Sequence, residues 1–478
     1  MSALADAVAA IRSGPHGAEV AAVFDFGGTV VDELPRRGLV RRVFRRGDRR
    51  RATLLGGIRR GGDGDYGRFL QAVERTWAGV PGTELDDLGR SAFRRELAGR
   101  LFPEAWQLVR EHQLAGHTVL LASELPGYAV RPVAELLGIE HVLCTEPATE
   151  DGVLTGHLDG PPLWRAGKAE AVRAFAASAG LEIGYVYTDS ATDLPLLELA
   201  AAPVTVGPDP ALATVAADRG WPTLEFRARR DPSPLDCLRT VAGFTALIAG
   251  ALVGVLRKSY AGERQAMADA LMHDATTATL RAIGVRLRVV GAEHTRAPRP
   301  AVFLFNHQSQ FDVIIVPKVV GGPVTGIGKK ELRNHPLFGP LMRFVGVTFL
   351  DRTDTARAKA ALAPVVSTLR EGLSIAVAPE GTRSYTRGLG PFKKGAFHIA
   401  IQAGVPVIPV VIRNAGEIAW RDSPIARPGI VDVAVLPPID VSGWDPDDMD
   451  EQVEQVRRSY EHTLLNWPGE KDSAERLT

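Results

Sequence analysis

The residues best equipped for chemistry stand in the second half of the chain. AVFLFNHQSQFD places His307 directly behind an apolar run and Asp312 five residues on. A carboxylate that holds an imidazole turns it into a general base. The usual third member, a nucleophilic serine or cysteine, is not evident nearby. The pair therefore points to a base whose nucleophile is a hydroxyl carried by the substrate. Further on, IAVAPEGTRS ends in Pro379, Glu380, Gly381, Thr382, Arg383 and Ser384. A strand giving way to a glycine turn with hydroxyl and guanidinium groups is suited to grip a phosphate. Lys329, Lys330, Arg352, Lys393 and Lys394 add positive charge. Four of the nine lysines fall in the two KK pairs, each just before a helical stretch, which is more than scattered surface charge explains.

A second set of polar residues lies in the first half. VFDFGGTVVD puts Asp25 at the end of an apolar run, followed by a glycine pair and Thr29. LLASEL ends another run in Ser123, and YTDSATDLPLLE places Asp189 and Asp193 behind a third. Lys168 opens the helical stretch AGKAEAVRAFA and is the single lysine of the first 257 residues.

The elements that must position these groups alternate between strand and helix. AAVFDF, HTVLLAS, GYVYTDS and APVTV read as strands separated by helix-length patterns. Such alternation implies a parallel sheet covered on both faces, with ligands at the carboxyl ends of the strands. Residues 31–96 interrupt the pattern as a predicted cap, and residues 35–51 within it hold nine arginines. That run is either a solvated face or a patch for anionic lipid headgroups. A linker, FRARRDPSPLD, leads to TVAGFTALIAGALVGVL (240–256), uncharged and flanked by basic residues. As a helix it spans about 25 Å, short of the roughly 30 Å hydrocarbon core. It is either a buried core helix or, as the flanking charges favour, an interfacial membrane helix with a small-residue stripe at Ala242, Ala246, Gly250 and Gly254. A second alternation follows, through VRLRVVG, AVFLFN, GVTFL, LSIAVAPE, VPVIPVVI and VDVAVLPPI.

The second half resembles the glycerolipid acyltransferases, specifically the 1-acyl-sn-glycerol-3-phosphate acyltransferases. NHxxxxD at Asn306–Asp312, FLDR at Phe349–Arg352, PEGTRS at Pro379–Ser384 and VPVIPV at Val405–Val410 occur in that order. The resemblance implies that His307 takes a proton from the hydroxyl of lysophosphatidic acid and that Asp312 orients it. It also implies that Arg352, Gly381, Thr382 and Arg383 hold the phosphate, Glu380 shapes that loop and Pro409 helps line the acyl-donor side. The acyl donor would be acyl-CoA or acyl-carrier protein, with no cofactor required.

The first half resembles the haloacid dehalogenase superfamily, in its phosphoserine-phosphatase-like branch. Ser123, Lys168, Asp189 and Asp193 match the later motifs, and Asp25 stands at the nucleophile position. The resemblance implies an aspartate that attacks phosphorus, Mg²⁺ held by Asp25, Asp189 and Asp193, and phosphate held by Ser123 and Lys168. The family's proton donor lies two residues after the nucleophile, and Gly27 stands there. Losing general acid help costs roughly 10²–10⁴ in rate. The expectation is a domain that binds Mg²⁺ or phosphate and hydrolyses little; the alternative is a working phosphatase.

The whole is then read as α/β throughout: a Rossmann-like dehalogenase-type domain at 1–225 with a cap at about 31–96, a linker and apolar helix at 226–262, and a membrane-associated acyltransferase domain at 263–478. Composition agrees. The 478 residues suit two or three domains. Lys+Arg and Asp+Glu are 56 each, which argues against nucleic acid as a partner. Cys144 and Cys237 form neither a disulfide framework nor a metal-ligand spacing. The first residues lack a secretory pattern. The expected place is the cytoplasmic face of the cell membrane, peripheral or monotopic.

Overall fold

A computed structural model describes residues 3–32, 66–296, 298–329, 333–334, 338–350, 362–421 and 423–468. The arginine run 35–51, Lys330 and Arg352 lie outside the described residues. The chain divides into two compact units, Met1–Arg230 and Asp231–Thr478.

In the first unit the strands are β1 (Val20–Asp25), β2 (Thr118–Pro126), β3 (His141–Thr145), β4 (Pro147–Glu150), β5 (Val153–Leu158), β6 (Glu182–Thr188), β7 (Ala202–Val206) and β8 (Thr223–Leu224). Six of them form a parallel sheet in the order β3-β2-β1-β6-β7-β8. Every residue of β1 is buried, because helices cover both faces of a parallel sheet; hence the unbroken apolar run VAAVFD. The chain winds from β1 to β2 and β3, then crosses back to β6. The topological switch therefore falls beside β1, where the strand ends open a crevice. Asp25, Ser123 and Thr188 all stand at that end.

The accessory layer is larger than the predicted cap. Helices Tyr66–Arg75 and Gly82–Ala92 fall inside it, but the antiparallel β4–β5 hairpin, 60 residues on, docks there too. Gly79 N–H donates to Leu154 O at 2.8 Å, Gly82 N–H to Gly152 O at 2.9 Å, and the Gln71 amide to Gly156 O at 2.8 Å.

Beneath the sheet runs a buried polar chain. The Tyr187 hydroxyl lies 2.9 Å from His112 Nε2, His112 Nδ1 lies 2.8 Å from His117 Nδ1, and His117 Nε2 lies 2.7 Å from Pro15 O. Since Pro15 O can only accept, the protons are ordered: His117 donates to Pro15, His112 to His117, and Tyr187 to His112. Burial, and then His117, push His112 down to about 3.

In the second unit the strands are β9 (Val285–Val290), β10 (Val302–Phe305), β11 (Val324–Lys329), β12 (Thr348–Leu350), β13 (Ser374–Val377), β14 (Val407–Ile412) and β15 (Gly429–Val435). They form one sheet in the order β12-β11-β13-β10-β14-β15-β9, parallel except between β14 and β15. Its core gathers Phe303, Ile315, Ile408, Val410, Ile412 and Val431. Pro409 is buried inside β14, opposite Leu304 of β10.

The apolar run lies within the helix Pro234–Lys258, which begins on a capping box between Ser233 and Asp236. It packs along Arg264–Ile283 through glycines: a Cβ on Gly250 would lie 2.7 Å from Asp274 O, and one on Gly254 2.5 Å from Ala270 O. The side away from those glycines is bare. Leu238, Val241, Leu252 and Leu256 are 61–70% exposed, and only 28% of the most apolar window is buried, so this is not a core helix.

Candidate active sites

The second unit's site starts where β10 ends. The Asn306 side chain donates to Ile412 O at 2.8 Å and accepts from Ile412 N–H at 2.7 Å, completing the ladder beside β14. The turn that follows is closed by Asp312, which is fully buried and opens the helix Asp312–Val320. Asp312 Oδ2 accepts the N–H groups of Gln308 at 2.8 Å and Ser309 at 2.9 Å, and the His307 Nδ1–H at 2.7 Å. One carboxylate thus shapes the loop and fixes the imidazole tautomer. With Nδ1 engaged as donor, Nε2 carries the lone pair. The His307 side chain is 22% exposed, so that nitrogen has a path to substrate.

The loop after β13 straps the same histidine. Glu380 Oε1 accepts the His307 N–H at 2.9 Å, Glu380 Oε2 accepts Gly390 N–H at 3.0 Å, and Ser384 N–H donates to His307 O at 2.6 Å. Both Glu380 oxygens are taken by backbone, so it positions the loop. Burial pushes its carboxyl up to about 7, while the two N–H donors pull the other way. Gly381 has a positive φ of 73°, and a Cβ there would lie 2.9 Å from the Lys393 ammonium. The Arg383 guanidinium donates to Arg421 O, and Arg421 returns a bond to Arg383 O at 2.5 Å. Arg421 lies over the Tyr385 ring at 4.2 Å. Thr382 is exposed beside them. Arg421, 38 residues from Arg383, carried no local signal in the sequence. Asn306 was within a motif, but its bracing of β14 is a tertiary pairing.

The first unit's site gathers on Lys168, which is 2% exposed. Its Nζ lies 2.7 Å from Asp25 Oδ1, 2.8 Å from Asp193 Oδ2 and 3.4 Å from Glu124 Oε2. Burial works against the ammonium, but the three carboxylates outweigh it and raise its pKa. Burial also raises the Asp25 carboxyl, with Lys168 pulling it down. Thr188 Oγ1 donates to the same Asp193 oxygen at 2.9 Å. Ser123 is fully buried at the end of β2 and accepts from Leu125 N–H at 3.1 Å. Asp189 sits against Gly28, where a Cβ would collide with its carboxylate. Burial pushes Asp189 up to about 7.

Of the three carboxylates expected to hold Mg²⁺, Asp193 is bonded to Lys168 and Thr188, while Asp25 and Asp189 stand nearby. Among the described residues no group of three or more His, Cys, Asp or Glu could hold a metal ion. Asp189 lies against Gly28, with Asp25 in its electrostatic neighbourhood, and two carboxylates with waters and a phosphate suit Mg²⁺. At Gly27 an added Cβ would meet nothing within 4 Å.

A buried carboxylate holding a histidine, strapped by a glycine-turn loop at the strand ends of an α/β sheet, makes a general-base site. Residues 286–413 match the Acyltransferase family model, and residues 22–198 match the haloacid dehalogenase-like hydrolase family model. A 1-acyl-sn-glycerol-3-phosphate acyltransferase of Salmonella typhimurium is 38% identical over 177 residues, covering 37% of this chain and 71% of that protein. Its Escherichia coli counterpart is similar to the same extent, and the human alpha form is 36% identical over 62% of its length. The chain belongs to the 1-acyl-sn-glycerol-3-phosphate acyltransferase family, with a dehalogenase-like domain before it. Similar solved structures include the acyltransferase PlsC from Thermotoga maritima (24% identity, TM-score 0.41, 48% of this chain and 97% of that one). Another is a phosphoserine phosphatase in apo form (18% identity, TM-score 0.32, 41% of this chain and 90% of that one).

Proposed function

We propose that the second unit transfers a fatty acyl group from acyl-CoA or acyl-carrier protein to the free hydroxyl of lysophosphatidic acid, giving phosphatidic acid. The observation that carries this is the 2.7 Å bond between His307 Nδ1 and Asp312 Oδ2. It leaves Nε2 to take the hydroxyl proton while the oxygen attacks the thioester carbonyl. The C–O bond forms, the oxyanion collapses, the C–S bond breaks, and the imidazolium returns its proton to the thiolate. Asp312 stabilises the imidazolium between these steps. Arg383 and the Gly381–Thr382 turn, with Arg352, are the groups assigned to the acceptor's phosphate. The bare face of the Pro234–Lys258 helix supports a seat on the cytoplasmic face of the membrane, where such an acceptor resides.

At the first unit's site, Asp25 and Asp189 would hold Mg²⁺, and Ser123 and Lys168 a phosphate. When bound, the cation neutralises charge on the phosphoryl oxygens.

The test supplies purified protein with 1-acyl-glycerol 3-phosphate and an acyl-CoA and identifies lipid products by mass. Phosphatidic acid that vanishes with His307→Ala supports the assignment. No acylated product with either CoA or carrier-protein donors overturns it.

A further inference from the structure

We propose that Arg421 is a second phosphate-binding guanidinium of the acyltransferase site, and that it selects acceptors whose phosphate is a monoester over those whose phosphate is a diester. The inference rests on the reading of Arg383 and its loop as the grip on the acceptor's phosphate.

The stretch around Arg421 is fastened to the turn that carries the general base. Ser309 Oγ donates to Ala419 O at 2.7 Å, and the Gln310 amide donates to Ser423 O at 2.8 Å. These anchors fall two positions before Arg421 and two after it. Ser423 N–H closes the stretch on Trp420 O at 3.0 Å. The loop after β13 meets the same turn, through Ser384 N–H to His307 O at 2.6 Å. Arg421 therefore stands where three loops converge: one carries His307, one carries Arg383, and its own is tied to both.

The two arginines hold each other. Each guanidinium donates through one terminal nitrogen to the other's backbone carbonyl, and the Arg421 guanidinium lies over the Tyr385 ring at 4.2 Å. One nitrogen spent on a carbonyl leaves the rest of the Arg421 fork for a ligand. Its charge is not neutralised by the fold. Among the described residues Arg421 has no carboxylate partner, and Glu417, four positions before it, is taken by Arg387 at 2.7 Å. Tethered this way, two like charges share one corner of the site, and a bridging anion relieves their repulsion.

The phosphate of lysophosphatidic acid is a monoester. It carries close to two negative charges at neutral pH and three free oxygens. A diester carries one charge and two free oxygens, which a single guanidinium fork satisfies. Arg383 thus serves either acceptor, and Arg421 adds binding for the monoester. That difference in affinity is the selection.

The experiment measures acyl transfer by the full-length chain to lysophosphatidic acid, with its phosphate methyl ester as the competing acceptor. Arg421→Gln keeps a donor for Arg383 O and loses the charge. The expected result is a KM for lysophosphatidic acid raised about tenfold or more, a far smaller fall in kcat, and an inhibition constant of the methyl ester moved by less than about threefold. Arg421→Lys keeps the charge without the fork and falls between, still losing more on the monoester; it carries the test by itself where the neutral variant fails to fold. Equal losses on monoester and diester overturn the proposal, as does a fall in kcat alone. A changed KM for acyl-CoA with lysophosphatidic acid unaffected also overturns it, placing Arg421 on the donor side. Arg383→Gln, run beside these, separates the layers. Weaker lysophosphatidic acid with Arg383→Gln but not with Arg421→Gln overturns the role of Arg421 alone; no effect from either overturns the phosphate grip as well.

Discussion

Glu380 accepts the backbone N–H of His307 at 2.9 Å, so the phosphate-side loop and the general base form one hydrogen-bonded unit. A shift in either loop is felt by both. Burial gives Glu380 a pH signature despite that bond. Its carboxyl is raised to about 7 by burial, so between an unfolded value near 4.5 and 7 the native state binds more protons. Stability from this group is fully present below about 4.5 and is lost as pH rises through 7. Glu380→Gln removes the titration. Denaturation of the second unit from pH 5 to pH 8 should show wild type losing stability relative to the variant; parallel curves would refute it.

The acid–base pair can be separated from folding. Asp312→Asn places an amide where Oδ2 now accepts three donors, so one or more of those bonds is lost. Acyl transfer should fall by about 10²–10⁴ with substrate binding largely retained. A variant with wild-type kcat would remove Asp312 from the mechanism.

Lys168 holds apart two buried carboxylates. Lys168→Met leaves Asp25 and Asp193 facing each other without a counter-ion. The first unit should lose about 3–5 kcal/mol at pH 8, and less at pH 5, where carboxyl protonation relieves the repulsion. Urea titrations at both pH values read the difference; equal losses would count against it.

The chain from Tyr187 through His112 and His117 to Pro15 makes the first unit acid-labile. His112 is lowered to about 3 by burial, then by His117. Between 6.5 and 3 the unfolded state therefore binds the extra proton. Stability is present above 6.5 and falls with acidification by up to ~1.4 kcal/mol per pH unit. His112→Gln should flatten that limb, as acid denaturation followed by tryptophan fluorescence would show.

The proposed membrane attachment through Pro234–Lys258 is tested on its exposed apolar face. Leu238, Val241, Leu252 and Leu256 touch little in the folded chain. Replacing all four with serine should leave the thermal midpoint unchanged and reduce co-sedimentation with anionic vesicles by at least about 100-fold. Unchanged sedimentation would place the contact elsewhere.

Both sheets were legible because their central strands, such as VAAVFD and VFLF, are continuous apolar runs leading into functional residues. His307 and Asp312 were legible because they stand five positions apart and one turn brings them together. β11 was missed: VTGIGK has two glycines and no apolar alternation, and its neighbours in the sheet, rather than propensity, make it a strand. The β4–β5 hairpin was missed as part of the accessory layer because its partners lie some 70 residues away. The resemblance implies a metal role for Asp193; its bonds to Lys168 and Thr188 are tertiary and carry no signal in the sequence.

The placement of β9 carries a consequence for synthesis. This first strand of the second unit occupies a sheet edge and pairs in parallel with the last strand, β15. The ribosome delivers β9 about 140 residues before its partner, on the order of ten seconds at typical elongation rates. For that interval the apolar helix Pro234–Lys258 and its companion are already made while the sheet of the second unit is unfinished. The nascent chain thus completes its long apolar helix well before it can offer substrate a complete site.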